Sequence, residues 1–198
     1  MCGIYGFVAA AGDLGPPERI EGTLAAMDRS IIHRGPDDNG TYVDERCAMG
    51  MRRLSIIDLG GGKQPLASCD ERYWIVFNGE IYNYRALMLE LQQLGYTFRT
   101  RSDTEVIVHA WSAWGEDCVT RFRGMFAFAL WDSVRETLFV ARDRLGVKPL
   151  YYALLDDGRF VFASELKSLI AHGALRRDID PRAVEEYFAL GYVPEPRT

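Results

Sequence analysis

The residues most able to do chemistry open the chain. Met1-Cys2-Gly3-Ile4 sets a thiol directly behind an initiator methionine, and the small side chain at position 2 permits removal of Met1. Once Met1 is gone, thiol and α-amine sit on one residue. A free cysteine titrates near about 8.5 and a terminal amine near about 7.7–8.0, so at neutral pH part of the amine is a free base. One residue can then supply both nucleophile and proton acceptor, a task that Cys and His share elsewhere. A cysteine is more often a small buried hydrophobe, so the reading needs support from other residues. Three stretches offer it: His33-Arg34-Gly35-Pro36-Asp37, the adjacent pair Arg52-Arg53, and Asn78-Gly79-Glu80. A lone histidine is commonly structural. Neighbouring strand residues point to opposite faces, so one arginine of the pair is expected to face a site and the other solvent.

These residues need elements to hold them. Ile4–Val8 is a short apolar run of strand type that fixes Cys2 at its tip. Glu18–Ile32 carries Ile20, Leu24, Met27 and Ile31 at helical spacing, with Pro17 suited to the first turn. The polar run 33–40 reads as irregular loop, followed by strands Thr41–Val43 and Cys47–Leu54. Gly60-Gly61-Gly62 lacks the Lys-Ser/Thr ending of a phosphate loop. Tyr73–Phe77 is a buried strand, with Asn78-Gly79-Glu80 expected at its mouth. Helices follow at Asn83–Leu94, stopped by Gly95, and at Asp103–Trp114, where Ser102-Asp103-Thr104-Glu105 matches a capping box. Asp103 suits a helix N-terminus with no function at all.

Cys118–Phe122 reads as a further helical turn. Met125–Trp131, Leu138–Arg142, Leu150–Leu155 and Arg159–Ala163 read as antiparallel strands of a second sheet. A short helix at Glu165–Ala171 and a last one from Asp180-Pro181 to Leu190 complete the chain, before Gly191 and a Pro-rich stretch that resembles the entry to a linker. Helices and strands in this order suit two sheets packed face to face with helices outside, a layered α+β arrangement.

Composition narrows the function. With 198 residues, 48% hydrophobic and 26% charged, the chain is long enough for a well-buried core. A net charge of −5 and no basic run longer than two residues argue against nucleic acid as a partner. No apolar stretch reaches membrane-spanning length and no signal-peptide pattern opens the chain, so a cytoplasmic protein is expected. Cys2, Cys47, Cys69 and Cys118 have no metal-ligand spacing, so neither a zinc site nor a disulfide framework is expected, and the last three are expected to pack.

Taken together, Met1-Cys2-Gly3-Ile4, His33-Arg34-Gly35-Pro36-Asp37, Arg53-Leu54-Ser55-Ile56-Ile57-Asp58, Gln64-Pro65-Leu66, Asn78 to Asn83, Ser102 to Glu105, Gly124 to Ala129 and Arg142 to Tyr151 are specific. Over essentially its whole length the chain resembles the N-terminal glutaminase domain of glutamine-hydrolysing asparagine synthetases, class II amidotransferases of the N-terminal-nucleophile (Ntn) hydrolase fold. The resemblance implies a four-layer αββα sandwich of two antiparallel sheets. It implies a domain over residues 1–190, with 191–198 beginning a linker to a C-terminal synthetase domain outside this sequence.

By the same resemblance Cys2 attacks the side-chain amide of L-glutamine, with its α-amine as base, and a γ-glutamyl thioester forms and is hydrolysed. Asn78 and Gly79 form the oxyanion hole. Arg53 takes the substrate α-carboxylate, Asp103 with Glu80 takes its ammonium, and the backbone of Leu54, Ser55, Ile56 and Ile57 lines the pocket together with Asn78 and Gly79. His33 supports the site structurally. Hydrolysis needs no metal or cofactor; ATP and Mg belong to the synthetase domain, which amidates aspartate with the ammonia released. A homodimer is compatible with the resemblance. Two other readings stay open at this point: a Cys Ntn hydrolase acting on another amide, and a non-catalytic glutamine-binding regulatory module.

Overall fold

The computed structural model describes residues 2–54 and 63–194. Met1, the expected pocket residues Ser55, Ile56 and Ile57, the glycine run 60–62 and the end of the linker stretch lie outside the described residues.

One sheet is built from β1 (Gly3–Val8), β2 (Asp38–Val43), β3 (Cys47–Arg53), β8 (Tyr151–Leu154) and β9 (Phe160–Ala163), in the order β2-β3-β1-β9-β8. The other contains β4 (Leu66–Ala67), β5 (Tyr73–Ile81), β6 (Gly124–Asp132) and β7 (Thr137–Arg142), in that order. Every strand pairing in both sheets is antiparallel. Helices α1 (Pro17–Ser30) and α5 (Leu166–Ala171) cover the first sheet; α2 (Tyr84–Gln93), α3 (Asp103–Trp114) and α4 (Cys118–Arg121) cover the second; α6 (Pro181–Leu190) comes last.

Three apolar clusters fill the three interfaces of this αββα stack, and the two-residue period of the strands deals side chains between them. In β6, Phe126, Phe128 and Leu130 point to the helices while Ala127, Ala129 and Trp131 point to the facing sheet. The small alanines let the two sheets approach. In β1, Tyr5 and Phe7 face α1, and Ile4 and Val8 face the other sheet. Each large side chain fully buried this way contributes about 1.5–3 kcal/mol, and a one-residue slip in register would exchange the two sets. Helix α1 has Pro17 in its first turn and buries Ile20, Leu24 and Met27 on one stripe.

The structure corrects several expectations. The strands after Met125 do not form one second sheet: β6 and β7 extend from β5, whereas β8 and β9 return to pair with β1. Residues 33–40 are not wholly irregular, because Ile32–Arg34 is a 3₁₀ turn and β2 already begins at Asp38. Asn78-Gly79-Glu80 lie within β5, paired with β6, and not beyond its end. Arg52 does not face solvent; it pairs with Asp28 of α1, which also accepts from the Tyr5 hydroxyl at 2.9 Å. Cys69 is exposed, while Cys47 and Cys118 pack as expected.

Ser102 does cap α3, its Oγ accepting from the Thr104 N–H at 3.1 Å, but Glu105 does not close the box. Its carboxylate instead accepts from the N–H groups of Arg99 at 2.9 Å and Thr100 at 2.7 Å. Burial alone would lift the Glu105 carboxyl, but His109 and these donors hold it at about 2.

Candidate active site

At one end of the sandwich the two sheets part around a cavity of about 520 Å³. Its wall is assembled from both sheets. The tip of β1 brings Cys2, the end of β3 brings Arg53 and Leu54, β5 brings Asn78, Gly79 and Glu80, and the start of α3 brings Asp103. Seven of the site residues expected from sequence thus meet at one place.

Cys2 is half-buried, and its Sγ donates to the Leu54 carbonyl at 3.7 Å. Arg53 is buried and lines the cavity on the face of β3 that carries Met49 and Met51, opposite Arg52. Its backbone is pinned from behind. Asp37 N–H donates to the Arg53 carbonyl at 3.2 Å, and a Cβ on Gly35 would lie 2.3 Å from Arg52 C and Arg53 N. Only glycine permits that approach.

The edge of β5 is where backbone chemistry is displayed. The short β4 pairs with Trp74 and Ile75, and among the described residues no further strand pairs with that edge of β5. Phe77 N–H donates to Gln64 Oε1 at 2.7 Å, and Ile81 N–H donates to Asp103 Oδ2 at 3.0 Å. The strand period directs the Gly79 N–H the same way, into the gap between Gln64 and Asp103. On the other side, the N–H and carbonyl of Phe126, the residue opposite Gly79, both bond Asp143 rather than β5. Asn78 is buried, and its Nδ2 has no hydrogen-bond partner among the described residues. A buried amide donor in that condition is costly, which is the mark of a group kept for a ligand. The glycine at 79 has a packing reason: a Cβ there would lie 2.3 Å from the Met125 carbonyl oxygen and 2.7 Å from Phe126 Cα.

Burial pushes the Asp103 carboxyl up, against the pull of the Ile81 N–H, and the nearby Glu80 carboxylate pushes it further. A cation beside Asp103 would favour its ionised form and so act against both effects. Gln64, Phe77, Ser102, Thr104, Met125, Val147 and Lys148 also line the cavity, and their local sequence carries no sign of it. Gln64 ties β5 to α3, its Nε2 donating to Thr104 Oγ1 at 3.3 Å. Lys148 is a buried cation held in the β7–β8 connection, where Asp143 accepts from the N–H groups of Val147 at 2.9 Å and Lys148 at 3.0 Å. Burial alone would raise Asp143, but these backbone donors hold it low. His33 stands outside the cavity wall, half-exposed, 2.9 Å from Glu165.

An αββα sandwich with a thiol at the tip of an inner strand is the fold of the Ntn amidotransferases. The solved structure of glutamine phosphoribosylpyrophosphate amidotransferase from B. subtilis shares it, with a TM-score of 0.69 over 91% of this chain and 46% of its own, at 24% identity. Sequence carries the assignment further: the family model of the glutamine amidotransferase domain matches residues 1–198, and the chain belongs to that family. Among curated proteins it is 46% identical to "Asparagine synthetase [glutamine-hydrolyzing] 1" of Bacillus subtilis, covering 100% of this chain and 31% of that protein. It is 45% identical to "Putative asparagine synthetase [glutamine-hydrolyzing]" of Mycobacterium tuberculosis, over 100% of this chain and 32% of that one. The chain thus spans about a third of the length of these relatives.

Proposed function

We propose that this chain is the glutaminase half of a glutamine-hydrolysing asparagine synthetase, releasing ammonia from L-glutamine through a thioester on Cys2. The observation that carries the reading is the buried Nδ2 of Asn78, without a hydrogen-bond partner among the described residues, in the cavity that also holds the Cys2 thiol. With Met1 removed, the α-amine of Cys2 accepts the thiol proton while Sγ attacks the amide carbon. Asn78 Nδ2 and the Gly79 N–H bond the oxygen as it becomes negative. The amine returns the proton to the departing nitrogen, ammonia leaves, and a γ-glutamyl thioester remains. Water then attacks the thioester, the amine again moving the proton, and glutamate is released.

Recognition needs both ends of the amino acid. Arg53 offers a planar fork for the α-carboxylate, and Asp103 with Glu80 offers negative charge for the ammonium. Leu54, whose carbonyl the thiol already bonds, lines the same cavity, and the backbone of Ser55, Ile56 and Ile57 is assigned to the same substrate pocket.

The domain spans residues 1–190 in this reading, and 191–198 lead to a synthetase domain where ATP and Mg activate aspartate to receive the ammonia. The length of the relatives supports it. So does α6, whose Tyr187, Phe188 and Leu190 are exposed, with Tyr192 beyond them, as a helix awaiting a covering surface leaves them. A cytoplasmic location suits the free thiols at Cys2, Cys47, Cys69 and Cys118. Among the described residues, no helix is long and apolar enough to cross a membrane.

The test is trapping. With L-glutamine and hydroxylamine the protein should yield γ-glutamyl hydroxamate, and Cys2→Ala should yield none. Equal turnover of D-glutamine or of simple acyl amides would point instead to a different amide substrate, and glutamine binding with no product to a regulatory module.

A further inference from the structure

A second group of charged side chains meets Cys2 from outside the cavity. Arg34, in the 3₁₀ turn after α1, donates from Nε to the Cys2 carbonyl at 2.9 Å, and its side chain is only 9% exposed. Its other end lies 3.1 Å from Glu165 Oε1. The same carboxylate takes His33 Nε2 at 2.9 Å and Lys167 Nζ at 3.1 Å. Burial alone would raise Glu165, but His33, Arg34 and Lys167 hold its carboxyl at about 2. The residue before it is tied to β1 as well: Ser164 Oγ accepts from the Ile4 N–H at 2.9 Å, and Ser164 N–H donates to the Ile4 carbonyl at 2.8 Å. Residues 164 and 165 therefore grip the first turn of chain that carries the nucleophile. His33 and Lys167 are exposed rim partners worth little, whereas the Arg34 pair is shielded and leads directly to Cys2.

We infer that Glu165 is a positioning residue for the nucleophile, holding the Arg34 guanidinium against the Cys2 carbonyl and offsetting the positive charge it brings to the reacting thiol and amine. The inference rests on the reading of Cys2 given above. Among the described residues, the other charged groups in the cavity with Cys2 are Arg53 from β3, Glu80 from β5, Asp103 from α3 and Lys148 from the β7–β8 connection. Glu165 is not among the residues that line that cavity.

Glu165→Gln keeps the size and one acceptor oxygen but removes the charge. It should lower kcat for glutamine hydrolysis by about ten-fold to a hundred-fold, as a loosened nucleophile does, with KM within about twofold. A second readout needs no substrate. The pH profile of Cys2 alkylation by iodoacetamide, followed in Cys69→Ser protein because Cys47 and Cys118 are buried, should move down by about half a unit or more, since an uncompensated guanidinium favours the thiolate. Because Glu165 acts through Arg34, adding Glu165→Gln to Arg34→Ala should cost less than about twofold further in kcat.

An unchanged alkylation profile, or losses that multiply in the double variant, overturns the inference. Should Glu165→Gln not fold, Arg34→Ala with wild-type kcat and alkylation profile overturns it equally. A wild-type protein that turns over no glutamine, yet whose alkylation profile shifts with Glu165→Gln, refutes the glutaminase reading and upholds this one.

Discussion

Replacing Asn78 by alanine separates catalysis from folding. In the unliganded chain Asn78 Nδ2 is buried and bonds nothing among the described residues, so removing it costs the fold none of that donor's hydrogen bonds. It also removes a desolvation cost of about 1–3 kcal/mol, against which the lost packing of a small amide is of similar size. The net change in stability should fall within about 1 kcal/mol, or about 2–4 °C in Tm for a chain of this length. Catalysis should respond differently. A donor aimed at the developing oxyanion is worth about 2.7–4 kcal/mol, so kcat should drop about 10²–10³-fold. KM for glutamine should stay within about threefold, because the donor acts on the transition state more than on bound substrate. Steady-state glutamate release across glutamine concentrations, with thermal melts on the same preparations, gives both numbers. A kcat within about threefold of wild type, or a loss of activity that merely tracks a loss of folded protein, would refute the reasoning.

Arg53→Lys should raise KM for glutamine about tenfold or more with a smaller effect on kcat, since an ammonium cannot reproduce a two-pronged bond to the carboxylate; an unchanged KM removes Arg53 from that role. Gly35→Ala, whose new Cβ would lie 2.3 Å from Arg53 N, should cost about 1–3 kcal/mol in a denaturant melt and raise KM by displacing the end of β3. His172 is buried with neither ring nitrogen bonded among the described residues, and burial together with Arg159 and Arg19 pushes its pKa down from 6.5 to about 4. The unfolded chain then binds the extra proton first, so His172 favours the fold above about pH 6.5 and loses that contribution as pH falls toward about 4. Tm measured across that window should decline, and His172→Leu should flatten the decline.

Local pattern made much of this molecule readable. The apolar periods of α1, α2 and α3 and the cap at Ser102 are set by neighbours within a few residues, and those elements lie where the pattern put them. The opposite facing of Arg52 and Arg53 follows from strand geometry alone. What local pattern could not reveal was which sheet a strand joins. Tyr151–Leu154 and Phe160–Ala163 look no different from Thr137–Arg142 as sequence, yet they cross the end of the sandwich to pair beside β1. That crossing brings Val147 and Lys148 to the cavity and Glu165 to Arg34.

Arg52 was misread because its partner, Asp28, is supplied by a helix more than twenty residues away. Gln64 carried no local sign of its task, since its two partners come from β5 and α3. The gathering of Cys2, Arg53, Asn78, Glu80 and Asp103 was anticipated from their resemblance to a family, and no local spacing among them would have shown it.

The central claim is that Cys2 serves as nucleophile and base together once it becomes the first residue. The direct measurement compares glutamate release from L-glutamine, without ATP, by protein whose intact mass shows that it begins at Cys2 and by protein that retains Met1. The account predicts turnover by the first, none by its Cys2→Ala variant, and a deep loss in the second. Equal turnover by the chain that keeps Met1 would contradict it, because the amine would then be remote from the thiol.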